Sequence, residues 1–210
     1  MNEEIKTVDT DVLEFKNHKK SVFFFKFFLL FALVSFIGWA WEVVYFLIQD
    51  NKLLDRGFLS LGWCPVYGLS ILAIYFTMGT PNKTRGILKP IHNVFLRYIL
   101  YFIVAALIST IIEFAAGYIF LEYLGKSLWS YSGNPYNFMG IICLWISLLW
   151  GFLITIGMRL IFYPILNKMN KLQDETILVF GISVSIVFLF DLIVSFIGLF
   201  LELKAKGVIC

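Results

Sequence analysis

The sequence predicts an all-α, polytopic helical membrane protein with about five transmembrane helices, the second of them broken. Composition comes first: of 210 residues, 60% are hydrophobic and only 15% charged, and the mean hydropathy is +0.85. A soluble domain averages about half apolar and a quarter charged. The second observation is that the apolar excess falls into five uninterrupted blocks, 22–48, 58–78, 94–121, 138–166 and 177–201. As a helix, each is long enough to cross about 30 Å of hydrocarbon. Third, the segments between them are short and polar: "QDNKLLDRG", "GTPNKTRGILKPIHN", "EYLGKSLWSYSGNPYN" and "NKMNKLQDET".

The chain therefore divides into a polar tail over 1–20, a helical transmembrane domain over 21–204 and a short C-terminal tail over 205–210. The first apolar block is too long for the h-region of a signal peptide, and no small-residue cleavage site follows it. Lys16, Lys19, Lys20, Lys83, Arg85, Lys89, Lys168 and Lys171 gather on one side of the predicted membrane. Lys52, Arg56, Lys126, Lys204 and Lys206 fall on the other. Lys and Arg mark the cytoplasmic side, so the N-terminus is expected inside and the C-terminus outside.

Several function classes drop out. The net charge of +3 is small and sits between apolar blocks, which is a topology signal and not a nucleic-acid-binding face. Cys64, Cys143 and Cys210 show no paired spacing, so neither a disulfide framework nor a zinc site is expected. No P-loop is present, so any ATP-driven role needs a separate ATPase chain. No metal and no cofactor are expected.

The first block carries Glu42, the third Glu113 and the fifth Asp191. At 1.5 Å per residue, the two glutamates lie about 10–13 Å from the outer ends of their spans. A short carboxylate does not snorkel that far, so it requires a partner or a wet cavity. Each acid belongs to a small or polar stripe at helical spacing. These are Ser35, Gly38, Glu42 and Tyr45; Ala106, Ser109, Glu113 and Gly117; and Asp191, Ser195, Gly198 and Glu202. Such stripes permit close helix approach and are expected to face inward.

In the second block, "RGFLSLGWCPVYG" places Gly57, Gly62, Pro65 and Gly68 in the outer half. Pro65 removes a backbone donor and frees the carbonyl four residues back. Irregular backbone at membrane depth persists only where protein buries it or where it lines a cavity. Glu42, Glu113 and Arg56 are therefore expected to meet in one outer cluster beside the aromatic third linker. A weak internal repeat accompanies this geometry. Gly57 to Gly68 and Gly140 to Gly151 each span eleven residues, ending "VYG" and "LWG", and each follows a helix with an inward glutamate.

"FIGWAWEVVY" (36–45), "DRGFLSLGWCPVYG" (55–68), Glu113 and "LWSYSGNPYNFMGIICLWISLLWG" (128–151) resemble the "type IV" ABC-transporter permeases, the CmpB-like family of bacterial integral membrane proteins. The resemblance covers roughly residues 30–155. It implies a bacterial cell membrane and a permease subunit. It implies substrate- or ion-binding roles for Glu42, Arg56, Tyr67, Glu113, Trp129, Tyr131 and Asn137. Structural roles are implied for Gly57, Pro65, Gly68, Gly140, Ser147, Trp150 and Gly151, and Ser132 belongs to the same pattern. The sequence departs from the family at Asp55, at Leu61–Gly62, at Ser130 and at Ile141, which implies a shifted substrate or a degenerate member.

The reading that follows is a transport component with an outer-facing acidic pocket, with the bilayer, a separate ATPase subunit and a homo-oligomer as partners. The alternatives are a membrane enzyme acting on a lipid or isoprenoid, with a glutamate as base and Arg56 on an anionic head group, or a non-catalytic interaction protein. For Asp191 a purely structural pairing is the expectation.

Overall fold

A computed structural model describes the backbone of residues 2–50 and 57–205 and most side chains from Lys19 onward. Arg56, Asp55, Lys52, Lys206 and Cys210 lie outside the described residues, so the expected meeting of Arg56 with the two glutamates does too.

Helix α1 (Asn2–Asp50) runs through the polar tail without a break, and its stretch Lys19–Tyr45 is apolar enough to cross a membrane. Three more stretches qualify: α3 (Val94–Leu124), the continuous run Leu144–Met169, and α6 (Asp174–Ala205). The second apolar block differs. It becomes helical only at Pro65, giving α2 (Pro65–Met78) of 14 residues. At 1.5 Å per residue that is about 21 Å, short of about 30 Å of hydrocarbon. Residues 57–64 cover the remainder in irregular conformation. Pro65 thus does not break a helix from within. It opens one, at the first position, where its missing N–H would have had no partner anyway.

The fourth block also starts late. Residues 137–143 form a small hairpin, β1 (Asn137–Phe138) paired antiparallel with β2 (Ile142–Cys143), before α4 (Leu144–Gly157) begins. Its turn places Met139 and Gly140 at φ 55 and 68. Two successive positive φ values reverse a chain tightly and match strand twist, which outweighs the helical preference of the apolar run. Beyond α4 the helix widens into a π turn (Met158–Phe162), in which the Tyr163 N–H bonds the Met158 carbonyl, and continues as α5 (Tyr163–Met169). Pro164 explains the widening, since it supplies no N–H for the regular ladder. Helix α3 starts on Asn93, whose side chain accepts from Leu96 N at 3.1 Å, and stops at Gly125 in the left-handed region.

Helix α6 packs on α1, α1 on α2, α2 on α3 and α3 on α4. The apolar core lies toward one end, where Phe27, Leu30, Ile74, Met78, Tyr101 and Met158 are all buried. In lipid the hydrophobic effect adds little to helix association, so this core acts through close packing. The Tyr101 hydroxyl donates to the Gly79 carbonyl at 2.9 Å, satisfying the end of α2. Several basic residues cluster at this same end. Lys26 Nζ donates to Asn170 Oδ1 at 2.8 Å, Arg85 to the Tyr75 hydroxyl at 2.9 Å, and Arg159 to the Tyr98 hydroxyl at 3.0 Å. Glu42, Glu113 and Asp191 lie in the other half.

Candidate functional site

Glu42 on α1 accepts a hydrogen bond from the Tyr67 hydroxyl on α2, Oε1 to Oη 2.6 Å. The Cys64 thiol, a weak donor, lies 4.0 Å from the same oxygen. Glu113 on α3 accepts from the Tyr131 hydroxyl of the loop after α3, at 2.8 Å. The four groups are close enough to act on one another electrostatically, Glu42 on Glu113 and on Tyr131 among them. Burial pushes the Tyr131 hydroxyl up from its ordinary pKa, and the neighbouring Glu113 adds to this, so it remains a neutral donor. Glu113 is 6% exposed, and its second oxygen, Oε2, is buried with no hydrogen-bond partner among the described residues.

Two α-helix pairs present these acids in the same way. Phe31 and Ser35 stand eleven and seven residues before Glu42, and Phe102 and Ala106 stand eleven and seven before Glu113. A Cβ on Gly68 would meet the Phe31 carbonyl oxygen at 2.6 Å and Ser35 Oγ at 2.5 Å. One on Gly151 would meet the Phe102 carbonyl oxygen at 2.9 Å and Ala106 Cβ at 2.8 Å. The helix α2 therefore docks on α1 at the register at which α4 docks on α3. The weak repeat of the sequence is a repeat of packing. The halves touch where Tyr67 meets Trp150, ring centroids 4.9 Å apart and nearly perpendicular. Gly38 faces the Tyr67 ring so closely that a Cβ there would overlap it.

The irregular segment 57–64 needs acceptors for its backbone, and distant helices supply them. Asp191 on α6, 2% exposed, accepts from Ser60 N at 3.0 Å through Oδ1 and from Leu61 N at 3.1 Å through Oδ2. Cys64 N donates to the Ser35 carbonyl at 3.1 Å. Phe58 packs edge-on between Phe120 of α3 and Phe196 of α6. The structural expectation for Asp191 agrees with this geometry. Which amides it holds was not legible, although a broken span inside a bilayer must find acceptors somewhere.

The loop after α3 is braced in the same manner. Trp129 lies against Gly117 and donates its indole N–H to the Ile141 carbonyl at 2.9 Å. Asn137 Oδ1 accepts from Gly140 N at 3.1 Å, while its amide donates to the Asn134 carbonyl at 2.7 Å. Tyr131 N donates to the Gly140 carbonyl at 2.7 Å, and Lys126 pairs with Glu202 of α6 at 3.0 Å. Trp129 and Asn137 thus hold the loop that presents Tyr131, and their recorded bonds go to backbone, not to the acids. Ser147, Trp150 and Gly151 lie on α4, with Ser147 and Gly151 buried. The sequence reading placed Ser35 on the inward stripe but missed Trp39 and Trp63; Ser35 Oγ and both indole nitrogens are buried without partners among the described residues. The spacing of Ser35, Trp39 and Glu42 along one face of α1 was the available signal. Among the described residues no group of three or more His, Cys, Asp or Glu is placed to hold a metal ion.

Fold and site together define a multi-pass helical membrane protein in which two repeated helix pairs enclose a pair of tyrosine-bound glutamates. The chain belongs to the family described as "Putative ABC-transporter type IV", whose model matches residues 29–196. The match runs past the 30–155 stretch that carried the resemblance and takes in Asp191. No curated protein and no solved structure matches the chain. The protein is thus a membrane component of ABC-transporter type.

Proposed function

We propose that the chain is a permease subunit of a bacterial cell-membrane transport system, driven by a separate ATPase subunit, and that Glu42 and Glu113 bind a cationic substrate or coupling ion. The observation that carries this reading is the duplicated Glu–Tyr arrangement, one pair from each helix repeat, joined at the Tyr67–Trp150 contact. Repeated helix units place transport sites at the seam between them. Two carboxyls in hydrocarbon are costly when both are charged, and a bound cation relieves that cost. Glu113 Oε2 is buried without a hydrogen-bond partner among the described residues, and an ionised carboxylate has about four acceptor positions, so this carboxyl keeps capacity for a ligand.

The basic residues at the opposite end support an N-terminus in the cytoplasm and an acidic site facing outward. Arg56 belongs to this reading as the outer cation nearest in sequence to the broken span. Tyr67 and Tyr131 orient the acids, and Trp129 and Asn137 act through the loop that carries Tyr131. The test is uptake, or growth complementation in a strain lacking the gene, with Glu42→Gln and Glu113→Gln. Both variants keep shape and lose charge, so activity should vanish while expression and thermal stability stay near wild type. Full activity in both variants would end the proposal.

A further inference from the structure

A groove of about 550 Å³ runs between α3 and α4, away from the acidic site. Phe95, Ile99 and Phe102 of α3 face Phe152, Ile156 and Leu160 across it. Its wall is almost wholly apolar, and Tyr98 and Arg159 border it beside Phe95 and Leu160. The Thr155 hydroxyl, also on the wall, donates to its own helix at the Gly151 carbonyl, 2.7 Å, and offers nothing to an occupant.

Arg159 is exposed at its end of the groove. One of its N–H groups reaches the Tyr98 hydroxyl at 3.0 Å, and its guanidinium lies 5.9 Å from the centre of the Tyr98 ring. A guanidinium carries five donors in a planar fork, so most remain available, and the fork fits two oxygens of a phosphate. Tyr98 in turn donates to Asn82 of the preceding polar loop at 2.9 Å. It stands four residues into α3, about 6 Å along the axis, which is head-group depth. The π turn Met158–Phe162 that carries Arg159 belongs to a class of local distortion concentrated at functional sites.

We propose that this groove is a binding site for one anionic phospholipid, its acyl chain lying between α3 and α4 and its phosphate on Arg159. The argument is charge complementarity. A long apolar trough ending in one cation matches a ligand with a long apolar tail ending in one anion. Basic pockets between membrane helices on the cytoplasmic side recognise such lipids. The site is independent of the glutamate pair, and its failure leaves the transport reading untouched.

The test is native mass spectrometry of the detergent-solubilised chain with phosphatidylglycerol or phosphatidylcholine of identical acyl chains. The wild type should retain one phosphatidylglycerol over phosphatidylcholine by about tenfold, the scale of one charge-assisted contact. Arg159→Gln should bring the two lipids level without loss of thermal stability. Ile156→Trp, at a membrane-facing position, should fill the trough and abolish retention of both. Equal retention by the wild type would overturn the proposal. So would a preference that survives Arg159→Gln, or displacement by glycerol phosphate as readily as by the intact lipid. A dimer that Ile156→Trp dissociates, with no lipid retained, would assign the groove to a second copy instead.

Discussion

Tyr67 and Trp150 hold corresponding places in the two halves of the chain, each ten residues after a glycine of positive φ, and their rings meet edge to face with centroids 4.9 Å apart. The halves have diverged at this contact. Tyr67 keeps a hydroxyl and donates a hydrogen bond to Glu42, whereas in the second half the hydroxyl on Glu113 comes from Tyr131 in the loop. The packing is common to both halves, while the polar group sits on the helix in one and on the loop in the other. The loop then had to be rigid, which accounts for the hydrogen bonds of Trp129 and Asn137 and for the left-handed Met139 and Gly140.

The shared register yields a paired prediction. Gly68→Ala and Gly151→Ala each force a methyl against backbone of the partner helix, and each should destabilise the protein by about 1–3 kcal/mol. The atom nearest the new methyl at Gly151 is Ala106 Cβ at 2.8 Å, with the Phe102 carbonyl oxygen at 2.9 Å. Adding Ala106→Gly should therefore recover part of the loss, not all of it. Thermal unfolding in detergent reads both values. An unchanged midpoint for Gly151→Ala would mean the helices are not at this distance.

Asp191 should matter to residues 57–64 more than to its own helix. Asp191→Asn keeps one carbonyl acceptor for the amides of Ser60 and Leu61, and Asp191→Ala keeps none. Each buried donor left without an acceptor costs about 1–3 kcal/mol, so alanine should lose roughly twice what asparagine loses. Release of the segment should also speed alkylation of Cys64 by a membrane-permeant thiol reagent. Alanine as mild as asparagine, with Cys64 no more reactive, would show that the segment holds itself in place.

The spans were legible because lipid imposes long apolar blocks, and the break in the second was legible because glycine and proline cluster in "RGFLSLGWCPVYG". Two features were hidden for a physical reason. The hairpin at 137–143 sits inside an apolar run, and hydropathy does not record the positive φ of Met139 and Gly140. The bonds from Asp191 to Ser60 and Leu61 join residues about 130 apart, which no helical period encodes. Glu42 and Tyr67 are only 25 apart, yet their pairing depends on where α2 begins, and the sequence placed that start seven residues early.

Membrane orientation rests on the Lys/Arg asymmetry, and single cysteines test it directly. Ser127→Cys, in the exposed loop after α3, should react with an impermeant maleimide in intact cells above the background of the parent chain. Asn170→Cys, exposed between α5 and α6, should react only after permeabilisation. The opposite pattern would invert the protein and turn the glutamate pair toward the cytoplasm.

The two Glu–Tyr pairs should behave as separate hydrogen bonds within one electrostatic cluster. In a double-mutant cycle, Tyr67→Phe combined with Glu42→Leu removes both partners of the 2.6 Å contact. Its cost should fall short of the two single costs by about 1–3 kcal/mol, because the second change removes a group already without its mate. The cycle of Tyr131→Phe with Glu113→Leu should couple similarly across its 2.8 Å bond. Across the pairs, Tyr67→Phe with Glu113→Leu shares no hydrogen bond and should add to within about 0.5 kcal/mol. Thermal unfolding in detergent supplies every term, and Tyr67 keeps its Trp150 contact when it becomes phenylalanine. Absence of coupling within a pair would mean that the hydroxyl and carboxyl do not bond. Coupling as large across the pairs as within them would mean a single shared network, in which neither glutamate has a tyrosine of its own.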